Sequence, residues 1–469
     1  MERPFQYKNI KETFSRLNEL NERKSLKIIE TEYSLNDSQI EIWKNDNTFE
    51  FSINESSFDI TKNDYSSIFD TCTLVGDEKE YSFLKDSLSS CSIGLGSEKT
   101  TGKLTSIIET KSANSDNLYY RLVQKVKDSP KVGYLNGAID LKTDQETSLL
   151  YGGGYNKIII DKIELDTFRL DVEKDNFIII DSCSCIGFEK FKNTIEAYFA
   201  AYSFIFGESV GIERYYCSSE SSTFEKTNQI IFQTLPETFH IETFPIFNRN
   251  IPSQKGLIQF PKIVFQNISN YYLDNEAFAR TLKIIQIALK TRSSLGKCVL
   301  FSSALETIST VVQDSSYQAK PINDDNYKKS KLRQKFKKLI NESSYLTNNE
   351  KAFLIEKKIN YLNAPTIKDK TLEAFSIFHI ELPESLKKVI SYRNKYLHGS
   401  IPDEEQFGVD MDNLTRAYEM QFLVSMLVLK YSGYSGYVQN KSAITEYHAH
   451  RKIDISQKVK LKQAIYYKI

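Results

Sequence analysis

The sequence predicts an α+β protein in which a β-rich, sandwich-like N-terminal domain precedes an all-α helical domain. Over residues 1–265, apolar and polar residues alternate in short runs, a period of two that is typical of strands. After Pro261 the apolar residues recur every three or four positions, which is the period of helices. We therefore expect a β-rich region at 1–265, a helical domain at 266–435 and a C-terminal tail at 436–469.

The N-terminal region contains one hairpin signal and a series of short strand candidates. Alternating Ile and Phe residues flank the turn sequence Asn45-Asp46-Asn47. The other strand candidates are Lys131–Tyr134, Lys157–Ile160, Phe168–Val172, Asn176–Asp181, Glu213–Cys217, Gln229–Gln233 and His240–Phe244. Short strands with polar breaks favour an antiparallel sandwich or a barrel-like sheet. One helix interrupts them near residues 188–206, and its aromatic residues are expected to pack on the sheet.

Seven helices are predicted after a junction at Pro252–Gln259. They run over Asp274–Thr291, Lys297–Gln313, Lys328–Asn341, Asn348–Asn360, Lys368–Phe378, Glu384–His398 and Asp412–Tyr431. The segment from Ser432 onwards contains Gly433 and Gly436 and then a polar, basic stretch, so we expect the tail either to fold back or to act as an arm.

The predicted helix Glu384–His398 carries an arginine on its apolar face. At helical spacing its apolar stripe consists of Leu386, Val389, Ile390 and Leu397. Arg393 falls in the centre of that stripe, where a guanidinium is unfavourable unless it is paired. Asn394 and His398 are four residues apart and lie on the flank of the same face. The spacing alone also fits a structural salt bridge or a helix cap.

These three side chains suit the cleavage of a phosphodiester. Histidine can take and return a proton near neutral pH, and the negative end of the helix favours its protonated form. Arginine binds phosphate oxygens, and asparagine can orient a hydroxyl or the imidazole. Arg393, Asn394 and His398 therefore suit RNA cleavage by the internal 2′-hydroxyl, and we expect neither a metal nor a cofactor.

The motif Arg-Asn-x-x-x-His, from Arg393 to His398, resembles the Rx4–6H signature of HEPN ribonucleases. An upstream Ala-Leu-Glu sequence that ends at Glu306 is similar to a turn common in the first long helices of that superfamily. The domain order is most similar to the ApeA-like HEPN proteins of bacterial anti-phage defence, which join a β-rich region to a C-terminal HEPN domain. The resemblance covers residues 267–435, and the N-terminal half only in architecture.

The resemblance implies an endoribonuclease that acts in abortive infection as a homodimer or a higher even oligomer. Two copies of the motif would then face each other, and the apolar stripe would be the subunit interface, with each Arg393 completed by the partner. His398 would be the general acid/base, Arg393 would hold the scissile phosphate, and Asn394 would orient the imidazole or substrate. Glu306 would support these side chains without contacting the substrate, and a surface salt bridge is the alternative role for this helical glutamate.

A basic run supplies a candidate RNA-binding surface in the same domain. Lys331, Arg333, Lys335 and Lys338 crowd one predicted helix, and such clusters attract phosphate backbones. A solvated helix face is the alternative. RNA, including tRNA, is the expected partner, and the N-terminal region is expected to recognise a phage-encoded trigger protein.

Composition limits the remaining possibilities. The 469 residues carry a formal net charge of zero, so nucleic acid binding must come from local patches. The six cysteines show no disulfide or zinc spacing, the N-terminus has no signal-peptide pattern, and no run of 18 apolar residues occurs. We therefore expect a cytoplasmic protein that does not associate with membranes.

Two alternatives to catalysis follow from the same motif. Some HEPN domains are non-catalytic, so the chain could be a scaffold that binds RNA or nucleotide without cutting it. It could also be a toxin regulated by modification of the motif tyrosine, Tyr396.

Overall fold

The computed structural model describes a large part of the chain. The described residues are 8–30, 38–54, 69–76, 78–93, 99–111, 117–126, 135, 154–172, 174–207, 213–235, 252–253, 256–257, 259–314, 331–359, 366–397, 409–442 and 466–469. Two compact units divide the chain, Met1–Leu273 and Asp274–Ile469. The strands predicted at Lys131–Tyr134 and His240–Phe244 lie outside the described residues.

An antiparallel sheet forms the first unit, and 14 of its strands lie among the described residues. In chain order the strands are β1 (Lys24–Glu30), β2 (Gln39–Asn45), β3 (Thr48–Asn54), β4 (Thr73–Gly76), β5 (Lys79–Ser82), β6 (Leu88–Ile93), β7 (Lys99–Leu104), β8 (Ser106–Thr110), β9 (Tyr119–Val126), β10 (Tyr155–Ile160), β11 (Ile163–Val172), β12 (Asp175–Ser182), β13 (Glu213–Ser219) and β14 (Gln229–Thr234). Their order across the sheet is β10-β11-β12-β9-β13-β14-β8-β5-β4-β1-β2-β3-β7-β6. The predicted hairpin is confirmed as β2 and β3.

This antiparallel sheet is continuous, which favours the barrel-like sheet of the two expected arrangements over a sandwich. Strands β3 and β14 are six places apart in the strand order, yet the rings of Phe49 and Phe232 lie 4.9 Å apart, edge to face. The sheet therefore curls over on itself, so that both parts share one apolar core. Register shifts at Ile28 in β1 and at Leu88 in β6 mark irregularities of the kind that let strands bend.

A helix near the N-terminus, α1 (Lys8–Asn21), was missed by the sequence analysis. Its apolar side chains Ile10, Leu17 and Leu20 are buried in the core of the sheet. Polar side chains also attach it, since Thr13 accepts a hydrogen bond of 2.9 Å from Arg121 of β9. The apolar spacing of three and four residues in this segment was a helical signal that the strand-rich surroundings concealed.

Two further helices belong to the first unit. The predicted helix is confirmed as α2 (Phe188–Phe206), and Phe191 stacks on Tyr120 of β9 with ring centroids 5.4 Å apart. Helix α3 (Lys262–Asp274) follows a short hairpin of β15 (Pro252–Ser253) and β16 (Gly256–Leu257). Phe265 of α3 contacts Tyr198 of α2 at 5.0 Å between centroids. The predicted domain boundary at residue 265 therefore falls inside a helix that packs with the first unit.

The second unit is mainly helical. Its described helices are α4 (Glu276–Lys290), α5 (Ser294–Asp314), α6 (Leu332–Glu342), α7 (Asn348–Lys357), α8 (Ile367–Ile377), α9 (Glu384–Leu397) and α10 (Val409–Tyr431). They match the seven predicted helices to within four residues at each end. The strand β17 (Tyr437–Gln439) pairs with β18 (Tyr466–Lys468), so the end of the tail folds back.

Helix α5 is the central helix of this unit and packs against α4, α8, α9 and α10. Its Phe301, Leu305 and Ile308 are fully buried, as are Leu423 and Leu427 of α10. The window Ser294–Gln313 is the one described segment that passes for a membrane span by length and composition, with a mean hydropathy of 1.3. Because 56% of that window is buried inside the unit, α5 has the burial of a core helix.

Candidate functional site

Helix α9 positions the motif, and its start follows ordinary helix chemistry. The carbonyl of Pro383 accepts the amide of Lys387 at 3.1 Å, which closes the first turn. Glu384 lies at the positive end of the helix dipole and accepts a hydrogen bond of 2.7 Å from the Lys387 ammonium. The helix ends at Leu397, so His398 is the next residue along the chain.

Three of the four residues in the apolar stripe of α9 are part of the core of the second unit, which corrects the interpretation of these three as a subunit interface. Leu386, Val389 and Ile390 are 6%, 3% and 2% exposed within a single chain. Helix α9 contacts α5, α8 and α10, so the partner of the stripe is this chain's own bundle. These three residues are already covered in the monomer, so they are not available for a second copy to bury, whereas Leu397 at the end of the stripe is only partly buried.

Arg393 lies on this buried face and forms an ion pair within the chain. The residue is 2% exposed, and its Nη2 donates a hydrogen bond to Oε2 of Glu306 on α5. The Glu306 side chain is 41% exposed, so the carboxylate stands at the rim and the guanidinium beneath it. Burial lowers the pKa of Arg393 from its ordinary value. The structure thus brings together two of the predicted site residues.

Tyr396 points into the bundle on the same helix. It is 7% exposed, and its hydroxyl donates a hydrogen bond of 3.1 Å to Oδ1 of Asn413 on α10. The thiol of Cys298 on α5 donates to the backbone carbonyl of Asn413, also at 3.1 Å, and burial raises the pKa of this thiol to about 12. A group attached to the Tyr396 oxygen would displace the Asn413 contact, so modification requires the end of α9 to open.

The remaining members of the motif are not placed relative to Arg393. The backbone of Asn394 belongs to α9, but its side chain and the whole of His398 lie outside the described residues. The meeting of guanidinium, amide and imidazole therefore stays a prediction.

The basic run forms an exposed helix, α6. Lys331, Arg333, Lys335 and Lys338 are all exposed, and Lys338 lies 3.7 Å from Glu342 in an i,i+4 pair. At about 100° per residue, Lys331, Lys335 and Lys338 share one face, whereas Arg333 lies on another side of the helix. Three of the four predicted phosphate contacts are thus placed to act together.

Helix α6 also exposes apolar side chains. No residue of α6 or α7 is buried, and Phe336 and Leu339 are 40% and 63% exposed. The two helices pack chiefly on each other within the described part of the second unit. The basic face is therefore open to a ligand rather than held in the core.

Sequence reasoning missed two buried lysines in the second unit. Lys297 of α5 and Lys441 after β17 are 9% and 7% exposed, and both ammonium groups lie near the ring of Tyr418. No local pattern identified them, because a lysine is normally a surface residue. Asn413 was also missed, since its contacts join residues far apart in the chain.

Comparison of the chain with protein-family models, with curated proteins and with solved structures found no significant match. The resemblance to HEPN ribonucleases consequently rests on the motif and on the domain order.

Proposed function

We propose that the chain is a metal-independent endoribonuclease of the HEPN type, which acts in the cytoplasm in anti-phage defence by abortive infection. The observation that carries the proposal is the buried Arg393 near the end of α9, which pairs with Glu306 and precedes His398 by five residues in the sequence. A charged guanidinium in the core of a helical bundle has a high desolvation cost, and such costs are common where a site needs a fixed charge.

The proposed reaction needs a proton acceptor and a fixed positive charge at one phosphate. His398 takes the proton of the RNA 2′-hydroxyl, and that oxygen attacks the adjacent phosphorus while the bond from phosphorus to the 5′-oxygen breaks. The leaving 5′-oxygen takes a proton from the imidazolium form of His398 or from water, and a 2′,3′-cyclic phosphate remains. Arg393 stabilises the charge that develops on the phosphate, Asn394 orients the imidazole, and Glu306 holds Arg393 in place.

Purified protein incubated in EDTA with total RNA and with tRNA tests the proposal. We expect wild-type protein to cleave and to leave cyclic or 3′-phosphate ends, and His398→Ala to be inactive. His379→Asn is the matched control, because His379 lies at a φ of 54° that asparagine tolerates. Cleavage by His398→Ala at the wild-type rate, or cleavage that requires Mg²⁺, would refute the mechanism.

Helix α6 is the proposed RNA-binding surface. Reversing two charges on its shared face, with Lys335→Glu and Lys338→Glu, should weaken RNA binding and reduce the slope of log K against log salt by about two. Lys283→Glu with Lys290→Glu is the control, because these lysines are exposed on α4. An unchanged affinity and salt slope in the α6 variant would place the RNA elsewhere.

We also propose that the enzyme acts as a homodimer or a higher even oligomer, as its resemblance to HEPN nucleases implies. Since Leu386, Val389 and Ile390 are covered by the chain's own bundle, the proposed contact with the second copy lies towards the C-terminal end of α9 rather than along these three residues. Analytical ultracentrifugation of the full chain tests this, and a monomer that is fully active would contradict it.

The first unit is proposed to recognise a phage-encoded trigger protein. Bacteria that carry the full chain should resist phage, whereas those that carry His398→Ala should not. Equal protection by both would show that defence does not depend on RNA cleavage by His398.

A second candidate is a non-catalytic HEPN scaffold that binds RNA or nucleotide. The 2% exposure of Arg393 favours it, because a phosphate cannot reach this guanidinium unless the side chain or its cover moves. Binding without cleavage in the EDTA assay would select this alternative. Regulation through Tyr396 is less favoured, since its hydroxyl is buried and hydrogen-bonded, and mass spectrometry of the purified protein would detect an attached group.

A further inference from the structure

Two buried lysines of the second unit converge on one aromatic ring. The ammonium of Lys297 lies 5.9 Å from the centroid of the Tyr418 ring, and that of Lys441 lies 5.6 Å from the same centroid. The residues come from the first turns of α5 and from the segment after β17, so the fold rather than local sequence brings them together. Both are more than nine-tenths buried.

This arrangement is unfavourable for two cations on three grounds. Burial removes the water that solvates an ammonium group, and the two like charges repel each other. Lys297 also lies near the N-terminus of α5, which Ser293 caps through the amides of Gly296 and Lys297, and a helix N-terminus carries a partial positive charge. Burial first, and then repulsion by Lys297, lower the pKa of Lys441 to about 7.

Within the described part of the chain, no carboxylate compensates Lys297. No Asp or Glu oxygen there lies within 4.0 Å of its Nζ, and its contact is the Tyr418 ring. A cation–π contact is a weak substitute for the lost water. Positive charge, a helix N-terminus and a half-buried aromatic ring therefore meet at one place that lacks a negative group for Lys297.

We propose that Lys297, Lys441 and Tyr418 form a binding site for a ligand that carries a phosphate group. Lysine ammonium groups and helix N-termini are standard phosphate ligands in proteins, and a phosphate would supply the negative charge that Lys297 lacks. The site is separate from the motif. Lys297 and Glu306 are nine residues apart on α5, so at about 100° per residue they lie on opposite sides of the helix.

Thermal unfolding and calorimetric titration of the full-length protein test the site. The probes are inorganic phosphate, pyrophosphate and ATP, each raised to about 10 mM at constant ionic strength, with sodium chloride as the reference. We expect saturable stabilisation by at least one of them. Lys297→Met should weaken binding about tenfold or more, because one charge-assisted contact is lost. Lys283→Met, an exposed lysine of α4, should bind like wild type.

The ligand-free variants show whether a loss of binding reflects the site or the fold. Lys297→Met should melt at a higher temperature than wild type without ligand, since it removes a buried like charge. If that variant does not fold, Lys441→Met serves in its place. Tighter binding of ATP than of pyrophosphate identifies a nucleotide, and equal binding identifies a free phosphate. No saturable effect beyond that of sodium chloride, or wild-type affinity in a folded Lys297→Met, would overturn the proposal.

Discussion

Removing Glu306 from its ion pair with Arg393 should destabilise the second unit more than removing Arg393. Arg393 is 2% exposed, whereas the Glu306 side chain is 41% exposed, so water can replace the partner of the carboxylate but not that of the guanidinium. Glu306→Gln leaves a buried cation facing a neutral amide. Breaking a fully buried pair costs about 3–5 kcal/mol, and half-exposure of the carboxylate reduces this to about 2 kcal/mol.

The reverse change should be nearly neutral. Arg393→Met removes the buried charge, fills much of the same volume and leaves Glu306 to be hydrated, so we expect a change of less than about 1 kcal/mol. In the Arg393→Met background, Glu306→Gln should then have almost no effect. The coupling between the two positions is therefore about 2 kcal/mol, well above the scatter of independent sites.

Native-state hydrogen exchange measured on peptides from α5 and α9 is the suitable assay, because the chain has two units and a global melt mixes them. In Glu306→Gln the amides of α9 should exchange about thirtyfold faster, which corresponds to about 2 kcal/mol. Unchanged exchange in that variant, or an equal effect of Glu306→Gln with and without Arg393, would refute this account of the pair.

Three further predictions concern stability. Gly102→Ala in β7 should destabilise the first unit by about 3 kcal/mol, because the added Cβ would lie 2.4 Å from the backbone oxygen of Ser90 in β6. Gly187→Ala is the control, since nothing lies within 4 Å of the added Cβ, and it should leave thermal unfolding unchanged. Tyr396→Phe should lower the free energy of local opening of α9 by about 1 kcal/mol, since the Asn413 oxygen loses its donor, and hydrogen exchange in α9 should be faster as a result. The pKa of Lys441 is lowered from 10.5 to about 7. Between these pH values the folded state binds fewer protons than the unfolded state, so the free energy of unfolding should rise with pH, by at most about 1.4 kcal/mol per pH unit. Urea titrations at several pH values should show this rise in wild type and not in Lys441→Met.

Helices were predictable because their signal is local. The period of the apolar residues placed their ends to within four residues, and the structure adds caps at Thr347 and Thr366, each in a capping box with the residue three positions on. Strands were harder, because β4 to β8 are short and owe their stability to partners distant in sequence. The helix α1 was missed although its spacing was helical, since neighbouring segments favoured strands.

The position of Arg393 was predictable from the sequence, but its contacts were not. Apolar spacing placed Arg393 on the buried face of α9, but such a stripe cannot distinguish the chain's own core from a second copy. The structure places Leu386, Val389 and Ile390 of the stripe in the core, with Leu386 only 6% exposed. Glu306 was a weak candidate because 87 residues separate it from Arg393. Nothing in the local sequence marked Lys297 and Lys441 as buried.

Burial of Arg393 also sets a condition on the proposed chemistry. A guanidinium has five N–H donors, so it can keep Glu306 and still contact a phosphate, provided that the substrate reaches a side chain that is 2% exposed. Arg393→Met separates catalysis from folding, because the asymmetry of the pair predicts nearly wild-type exchange in α9. If the proposed nuclease is correct, this variant should lose RNA cleavage while its exchange stays unchanged. Cleavage that persists in it would assign Arg393 to the fold alone, and the catalytic charge would then have to come from another residue.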